Sequence, residues 1–310
     1  MFSWISWIDL IFIYFTFTIV VFAIGINISE SNISPVLLQT FRYGKHAYKG
    51  EPSRVVQAFE VPKSYFKHFY VFAIVWAILI FGLTFNLYVL GTTVPAFIID
   101  ALDFLYGKDR SVTMSAFTAL QATFLLTLQC ARRFYETQYI QVFSKQAKIN
   151  FTHYLVGYLH YFGAFLAIIS RAPGFVHNAN PEDVTYIQFD MILPRHLSMM
   201  TLFFLGWFQQ LRANLMLANL RKNRSGAVVT EKHLMPQGGF FDFVSSPHMF
   251  WEIVMYTALT VILLPNISWI WVFLWVVSNQ IENAWLTHKW YLGTFKNYPK
   301  ERRAIIPGIL

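Results

Sequence analysis

The chain has 310 residues, of which 56% are hydrophobic, 19% aromatic and only 13% charged, with a mean hydropathy of +0.45. Ordinary soluble domains carry about 25% charged residues, so this composition excludes such a domain and predicts an all-α membrane protein of several spans. The formal charge of +8 must then sit mostly in the connections, and the single cysteine, Cys130, excludes an intrachain disulfide framework. With no cysteine pair and no tight His/Cys cluster, the sequence calls for no metal. Nor does it ask for a nucleic acid or an obligate protein partner.

Seven uncharged or nearly uncharged runs can cross a bilayer core of about 30 Å, which takes roughly 20 helical residues. They cover 10–26, 69–90, 113–131, 151–169, 197–211, 249–264 and 268–286. No Lys or Arg precedes the first run and Asp9 sits where a signal peptide carries positive charge, so the run reads as a retained anchor with Trp4 and Trp7 at the interface. Charge in the connections alternates. The segment 27–67 holds six basic residues against three acids, 132–150 four against one, and 212–247 five against two. In contrast, 91–112 and 170–196 each hold two basic residues and three acids, and the 289–310 tail is basic again. Because Lys and Arg stay on the cytosolic side, the N-terminus is expected outside and the C-terminus in the cytosol. The sequons at Asn27, Asn32, Asn150 and Asn223 then fall on the cytosolic side and that at Asn266 in a tight turn, so none is expected to be used. The chain reads as one membrane domain over 1–310.

Within the third inner segment, 218–252 combines positive charge, paired glycines, hydroxyls and a His/Glu pair. Arg221, Lys222 and Arg224 supply charge for an anion. Gly238 and Gly239 let the backbone turn sharply or pass close to a ligand. Ser245, Ser246 and Pro247 read as a helix start, since Ser caps orphan amides and Pro tolerates the first helical position. Bare amides at a helix start suit phosphate. His248 and Glu252, four apart, share one helical face. Taken singly, a basic run beside a span is usually a topology signal and Gly-Gly usually a plain turn; their co-occurrence marks half of a site for a phosphate-bearing cofactor.

Ionisable residues inside a span are costly and usually face a cavity or a partner. Glu252 and Glu282 lie towards the cytosolic ends of the last two runs. Asn279 and Asn283 flank Glu282, and His288 and Tyr291 follow if that helix continues. These groups either hold the last helices together or line a cofactor cleft, and the two readings are compatible. Arg132, Arg133, Phe134, Tyr135 and Glu136 form a charged aromatic cluster after the third run. In the first inner segment, 42–45 and 59–66 read as ordered loop.

The chain resembles the steroid 5α-reductase family, and within it the polyprenol reductase branch. The likeness rests on LLQTFRYGK (37–45), FEVPKSYFKHFY (59–70), LQCARRFYE (128–136), ANLRKNRSG (218–226), PQGGFFDFVSSPH (236–248) and HKWYLGTFKNYPKERRAIIPGIL (288–310). The resemblance implies a seven-helix enzyme of the endoplasmic reticulum, with its cofactor half over about 197–310. It would use NADPH to reduce a double bond conjugated to a carbonyl in a polyprenyl lipid, towards dolichol for protein N-glycosylation. Carried over by position, the cofactor contacts would be Asn214, Arg221, His248, Glu252, His288 and Tyr291. His248 stands where the steroid enzymes have asparagine, and Asn283 where they have arginine. Glu60 matches their substrate-polarising glutamate, and the partner tyrosine falls near Arg133 and Tyr135.

An isolated double bond does not accept hydride readily. An α,β-unsaturated aldehyde does, because addition at the β-carbon places charge on oxygen, where a donor can hold it. The expected substrate is therefore polyprenal. Candidate donors are Glu60 and the Arg133/Tyr135 region, with His288 and Tyr291 behind them; the phosphates would take Arg221, Lys222, Arg224 and the helix start at Ser246. A steroid 4-ene-3-one reductase is the alternative on the same chemistry. A membrane methyltransferase and a transporter are the rivals of other classes.

Overall fold

Helix starts in this chain are written in short polar side chains. In a computed structural model describing residues 5–42, 44–51, 53–177 and 185–310, Ser6 and Asp9 close a reciprocal capping box at 3.0 Å on α1 (Trp7–Ser29). Trp7 is exposed, and Trp4 lies outside the described residues. The first inner segment folds into two short helices, α2 (Pro35–Phe41) and α3 (Arg54–Ala58), and strand β1 (Glu60–Pro62). Then come α4 (Phe66–Leu90), α5 (Ala96–Tyr106) and α6 (Ala116–Tyr135), the last capped by Ser115 and running into a π turn at Glu136–Ile140. Strand β2 (Lys148–Asn150) precedes α7 (Phe151–Ile169), which Asn150 caps. The remaining helices are α8 (Pro194–Asn219), α9 (Pro247–Leu263) and α10 (Ile267–Thr294). Pro occupies the first turn of α8 and α9, where its missing N–H costs nothing.

All seven apolar runs are helices, and 67% of the chain is helical, so the predicted class holds in its coarse form. Three segments, Trp7–Asn32, Lys63–Tyr88 and Phe151–Ile169, are long and apolar enough to cross a membrane, and α9 is a shorter apolar helix. Several apolar helices packed side by side make a multi-pass membrane architecture. Two features depart from the expected reading of seven helices joined by loops. Glu60 to Pro62 pair antiparallel with Asn150 to Lys148, because extended chain flanking Pro62 meets the extended entry to α7. Helix α5 forms within the 91–112 connection and packs on α1.

Close packing needs small residues where helix backbones approach. Ala73 and Ala77 of α4 and Ala119 and Ala122 of α6 are wholly buried, and the hydroxyls of Thr84 and Thr123 meet at 3.1 Å between those helices. Gly206 brings α8 onto α9: a Cβ there would stand 3.2 Å from the Trp251 carbonyl. Gly163 of α7 receives the buried ring of Phe12 from α1.

The connections sort by end. β1 and β2 join the first and second inner segments, Arg221 donates to the Val142 carbonyl at 2.8 Å, and His46 meets Thr287 at 3.3 Å. Val244 bridges in parallel to Arg303 of the tail. All four basic segments therefore meet at one end of the bundle. At the other end Arg110 pairs with Asp103 and donates to the carbonyls of Ser170 and Phe175 at 2.7 and 2.9 Å. Asn150 and Asn266 are buried caps, which takes two sequons out of reach.

A Cβ at Gly163 would lie 2.6 Å from the Phe12 ring. Gly163→Ala is expected to cost about 1–3 kcal/mol by overpacking, and Phe12→Leu in the same protein to recover part of it. Thermal unfolding in detergent measures both; an unchanged midpoint for the single variant contradicts the packing described.

Candidate active site

Charge buried in an apolar bundle must be paired, and α6 meets this requirement at its basic end. Gln129, Arg132, Arg133 and Glu136 fall at helical spacing on neighbouring turns. The Glu136 carboxylate, 0% exposed, pairs with Arg132 at 3.4 Å and with Arg133, and accepts from Asn214 of α8 at 2.9 Å. Gln129 donates to both Glu252 oxygens at 3.2 and 3.1 Å and to Gln210 at 3.1 Å. Gln210 in turn donates to the His248 carbonyl at 2.8 Å and to Glu252. Arg132 donates to Gln129 at 2.7 Å, to Gln210 and to the Trp207 carbonyl. Arg133 reaches the Tyr70 hydroxyl of α4 at 3.2 Å through both Nε and Nη2. Two guanidinium groups and two carboxylates thus knit four helices.

A second set of cations lies outside the spans. Lys45, in a short turn (Gly44–His46), places its ammonium 4.7 Å from the Tyr291 ring centroid and 5.5 Å from that of Trp290. Burial first, then the positive charges of Lys63 and Arg221, pull its pKa down to about 7. Among the described residues no acid acts on Lys45. Arg221 also contacts His233 at 2.5 Å. Burial and these cations bring His46 and His233 to about 3, so both rings are neutral.

Helix α9 and the tail join the two sets. Ser245 Oγ stands 2.7 Å from His288 Nδ1 and 2.5 Å from the Tyr298 hydroxyl, and Tyr298 stacks on Tyr291 at 5.4 Å. The His248 carbonyl accepts from Gln210 at 2.8 Å, which ties the start of α9 to the buried network. Ser246 starts α9 as expected, but its side chain makes no cap bond: the backbone at Ser246 (φ −136°, ψ 61°) is not the extended conformation that aims a cap. Among the described residues its buried Oγ and His248 Nδ1 have no hydrogen-bond partner. Buried polar atoms without a partner among the described residues, together with the loop cations Lys45 and Arg221, fit an elongated anion with a polar head group.

Of the predicted residues, Asn214, Arg133, His248 and Glu252 join the buried network, and Arg221, His288 and Tyr291 its outer extension. Lys222 donates to the Ile140 carbonyl at 3.0 Å, and Arg224 stands exposed. Asn283 donates to Asn279 at 3.0 Å on its own helix. Glu60 lies 3.8 Å from Lys148 and lines a polar cavity of about 230 Å³ with Arg42, Gly44 and Tyr48. Tyr135 is 54% exposed and packs on Tyr139. Sequence reasoning left out Gln129, Gln210 and Tyr70 and gave Lys45 no role. Gln129, three residues before Arg132, and Gln210, four before Asn214, were signalled by helical spacing on their own helices; nothing local signalled Tyr70.

Residues 174–310 match the family model described as 3-oxo-5-alpha-steroid 4-dehydrogenase. The chain is 46% identical to a Drosophila melanogaster protein named polyprenal reductase, across 99% of this chain and 94% of that one. Polyprenal reductases of Homo sapiens and Caenorhabditis elegans are 34% and 30% identical, each across 86% of this chain and 83% and 85% of their own.

Glu136→Ala leaves two buried guanidinium groups short of their shared carboxylate and is expected to destabilise the protein by about 3–5 kcal/mol. Glu136→Gln, which keeps one acceptor, should cost less. Unfolding midpoints of the two variants in one detergent check the order.

Proposed function

Since the chain belongs to the polyprenal reductase branch of the steroid 5α-reductase family, we propose that it reduces the α-isoprene double bond of polyprenal with NADPH, towards dolichol for protein N-glycosylation. The observation that carries this reading is the series of contacts from Lys45 through Tyr291, Tyr298 and Ser245 to the start of α9, where Gln210 donates both to the His248 carbonyl and to Glu252. Full-length relatives named polyprenal reductase support the lipid aldehyde over the steroid. In this reading all seven long helices cross the endoplasmic reticulum membrane and the C-terminal tail is cytosolic, which agrees with the meeting of the basic segments at one end.

Lys45, Arg221, Lys222 and Arg224 hold the phosphates. Ser246, His248, Glu252 and Asn214 hold the head group with His288, Tyr291 and Asn283, and Glu60 meets the substrate carbonyl. When bound, NADPH supplies hydride to the β-carbon of the enal. The protein must orient the aldehyde, hold the charge that develops on its oxygen and keep water from that end of the site.

Purified protein with NADPH is expected to consume polyprenal and to leave polyprenol unchanged, with a 4-ene-3-oxo steroid turned over far more slowly; direct reduction of polyprenol, or preference for the steroid, refutes the assignment.

Lys45 generates a pH dependence. Its pKa is about 7 without ligand, and a phosphate beside it raises that value. Above pH 7 binding must therefore take up a proton, so NADPH affinity should fall with rising pH by up to about tenfold per unit, and be level below 7. Lys45→Arg, charged throughout, should lessen the slope between pH 7 and 9, the remainder belonging to Lys63, which burial and Arg221 bring down to about 8. Titration by nicotinamide fluorescence measures it.

A further inference from the structure

The paired glycines before α9 fold the chain back over the end of α8. Gly238 (φ 89°) and Gly239 (φ 59°) both take the left-handed backbone that a residue with a Cβ rarely adopts. The turn brings Pro236 and Gln237 beside Met216, Asn219 and Leu220, and these five residues line a cavity of about 310 Å³. One wall is fixed, since the Pro236 carbonyl accepts from the buried Arg302 at 2.9 Å and Asp242 accepts from the Gly238 amide at 2.8 Å. The other wall can adapt, because the Met216 thioether is unbranched and turns about several bonds. Asn219 and Gln237 are exposed, and among the described residues neither side chain makes a hydrogen bond. Direct contacts tie this cavity to the loop cations. Arg221 follows Leu220 in the chain. The Arg302 guanidinium, which holds Pro236, lies over the Tyr298 ring at 5.3 Å, and Tyr298 stacks on Tyr291, over which Lys45 sits.

The occupant of such a space needs apolar faces, a polar edge and a negative charge beside them. A hydrocarbon chain would leave both carboxamides idle, and a free phosphate would leave the apolar walls in water. A purine nucleotide meets all three conditions. We propose that the cavity holds the adenine of the dinucleotide, its faces covered by Met216, Leu220 and Pro236, its edge read by Asn219 and Gln237, and its ribose phosphate turned towards Arg221 and Lys45. This rests on the functional reading above and adds to it a choice of base. A carboxamide sets a donor and an acceptor side by side, which matches N7 and the 6-amino group of adenine. Hypoxanthine has acceptors at both places, so that pairing is lost. No chemistry happens in this cavity; it anchors the end of the cofactor remote from the transferred hydride.

The test uses the full chain in detergent with NADPH and its hypoxanthine counterpart, the binding of each followed by nicotinamide fluorescence. The unaltered protein should bind NADPH about tenfold more tightly, the scale of one bidentate pair. With Asn219→Leu and Gln237→Leu combined, the two cofactors should bind alike. Leu220→Trp, which fills the cavity, should weaken NADPH by at least the same factor and abolish competition by adenosine 2′,5′-bisphosphate. Should the variants not fold, competition of adenosine and inosine 2′,5′-bisphosphates against NADPH in the unaltered protein still decides, with the adenosine compound expected to bind more tightly. Equal affinity for the two bases in the unaltered protein, or NADPH binding that Leu220→Trp leaves unchanged, overturns this inference while reduction of polyprenal with NADPH stands. No binding of either cofactor and no NADPH-dependent reduction overturn both.

Discussion

Two adjacent arginines close a helix whose inner face is otherwise mostly apolar and wholly packed, and the cost of burying them organises the rest. An unpaired guanidinium in such a place costs several kcal/mol, so Arg132 and Arg133 need carboxylate and amide partners that α6 alone cannot provide. The π turn that follows α6 brings Glu136 back under both of them. Completing the hydrogen bonds then takes Gln210 and Asn214 from α8, Glu252 from α9 and Tyr70 from α4. The requirement to satisfy buried charge is what gives the candidate active site its fixed geometry.

The site has two electrostatic regimes. Inside the bundle, cations and carboxylates are matched and locked by neutral amides, which suits a dry reacting end where a few aimed donors act strongly. At the loops, Lys45 and Arg221 sit with further positive charge beside them and little acid to offset it, which suits an anion that arrives from water. The start of α9 joins these regimes, and the C-terminal tail holds it in place through Arg303, Tyr298 and Ser245. The opposite end of the bundle has its own knot, in which Arg110 ties Asp103 to the carbonyls after α7. Among the described residues unpaired buried atoms lie at both ends, Tyr106 Oη and Arg171 Nε at the end that Arg110 closes and Ser246 Oγ and His248 Nδ1 at the start of α9.

Helix existence was legible because it depends on near neighbours. Apolar runs of sufficient length, Ser and Asn caps, and Pro at first positions are local signals, and they located seven helices correctly while missing how far α8 and α10 extend beyond their apolar stretches. Alternating basic connections correctly anticipated which segments would gather at one end. The strand pairing of Glu60 with Asn150 was invisible, since its partner lies in another connection and each strand is only three residues long. Ser246 shows the limit in the other direction: the residue type suited a cap, but the turn before α9 holds its backbone where the hydroxyl cannot reach the amides.

The chain by itself determined that it must be a helical membrane protein, with its charge concentrated in alternate connections and a basic, glycine-containing segment before α9 suited to an anion. These follow from composition and short-range spacing, where transfer free energy and helix periodicity act directly. Only the tertiary structure decided which polar residues share one space. Tyr70 and Arg133 are 63 positions apart and Gln129 and Glu252 are 123 apart. Their meeting depends on which helix faces pack, and that is settled by buried alanines and glycines, not by the polar residues themselves.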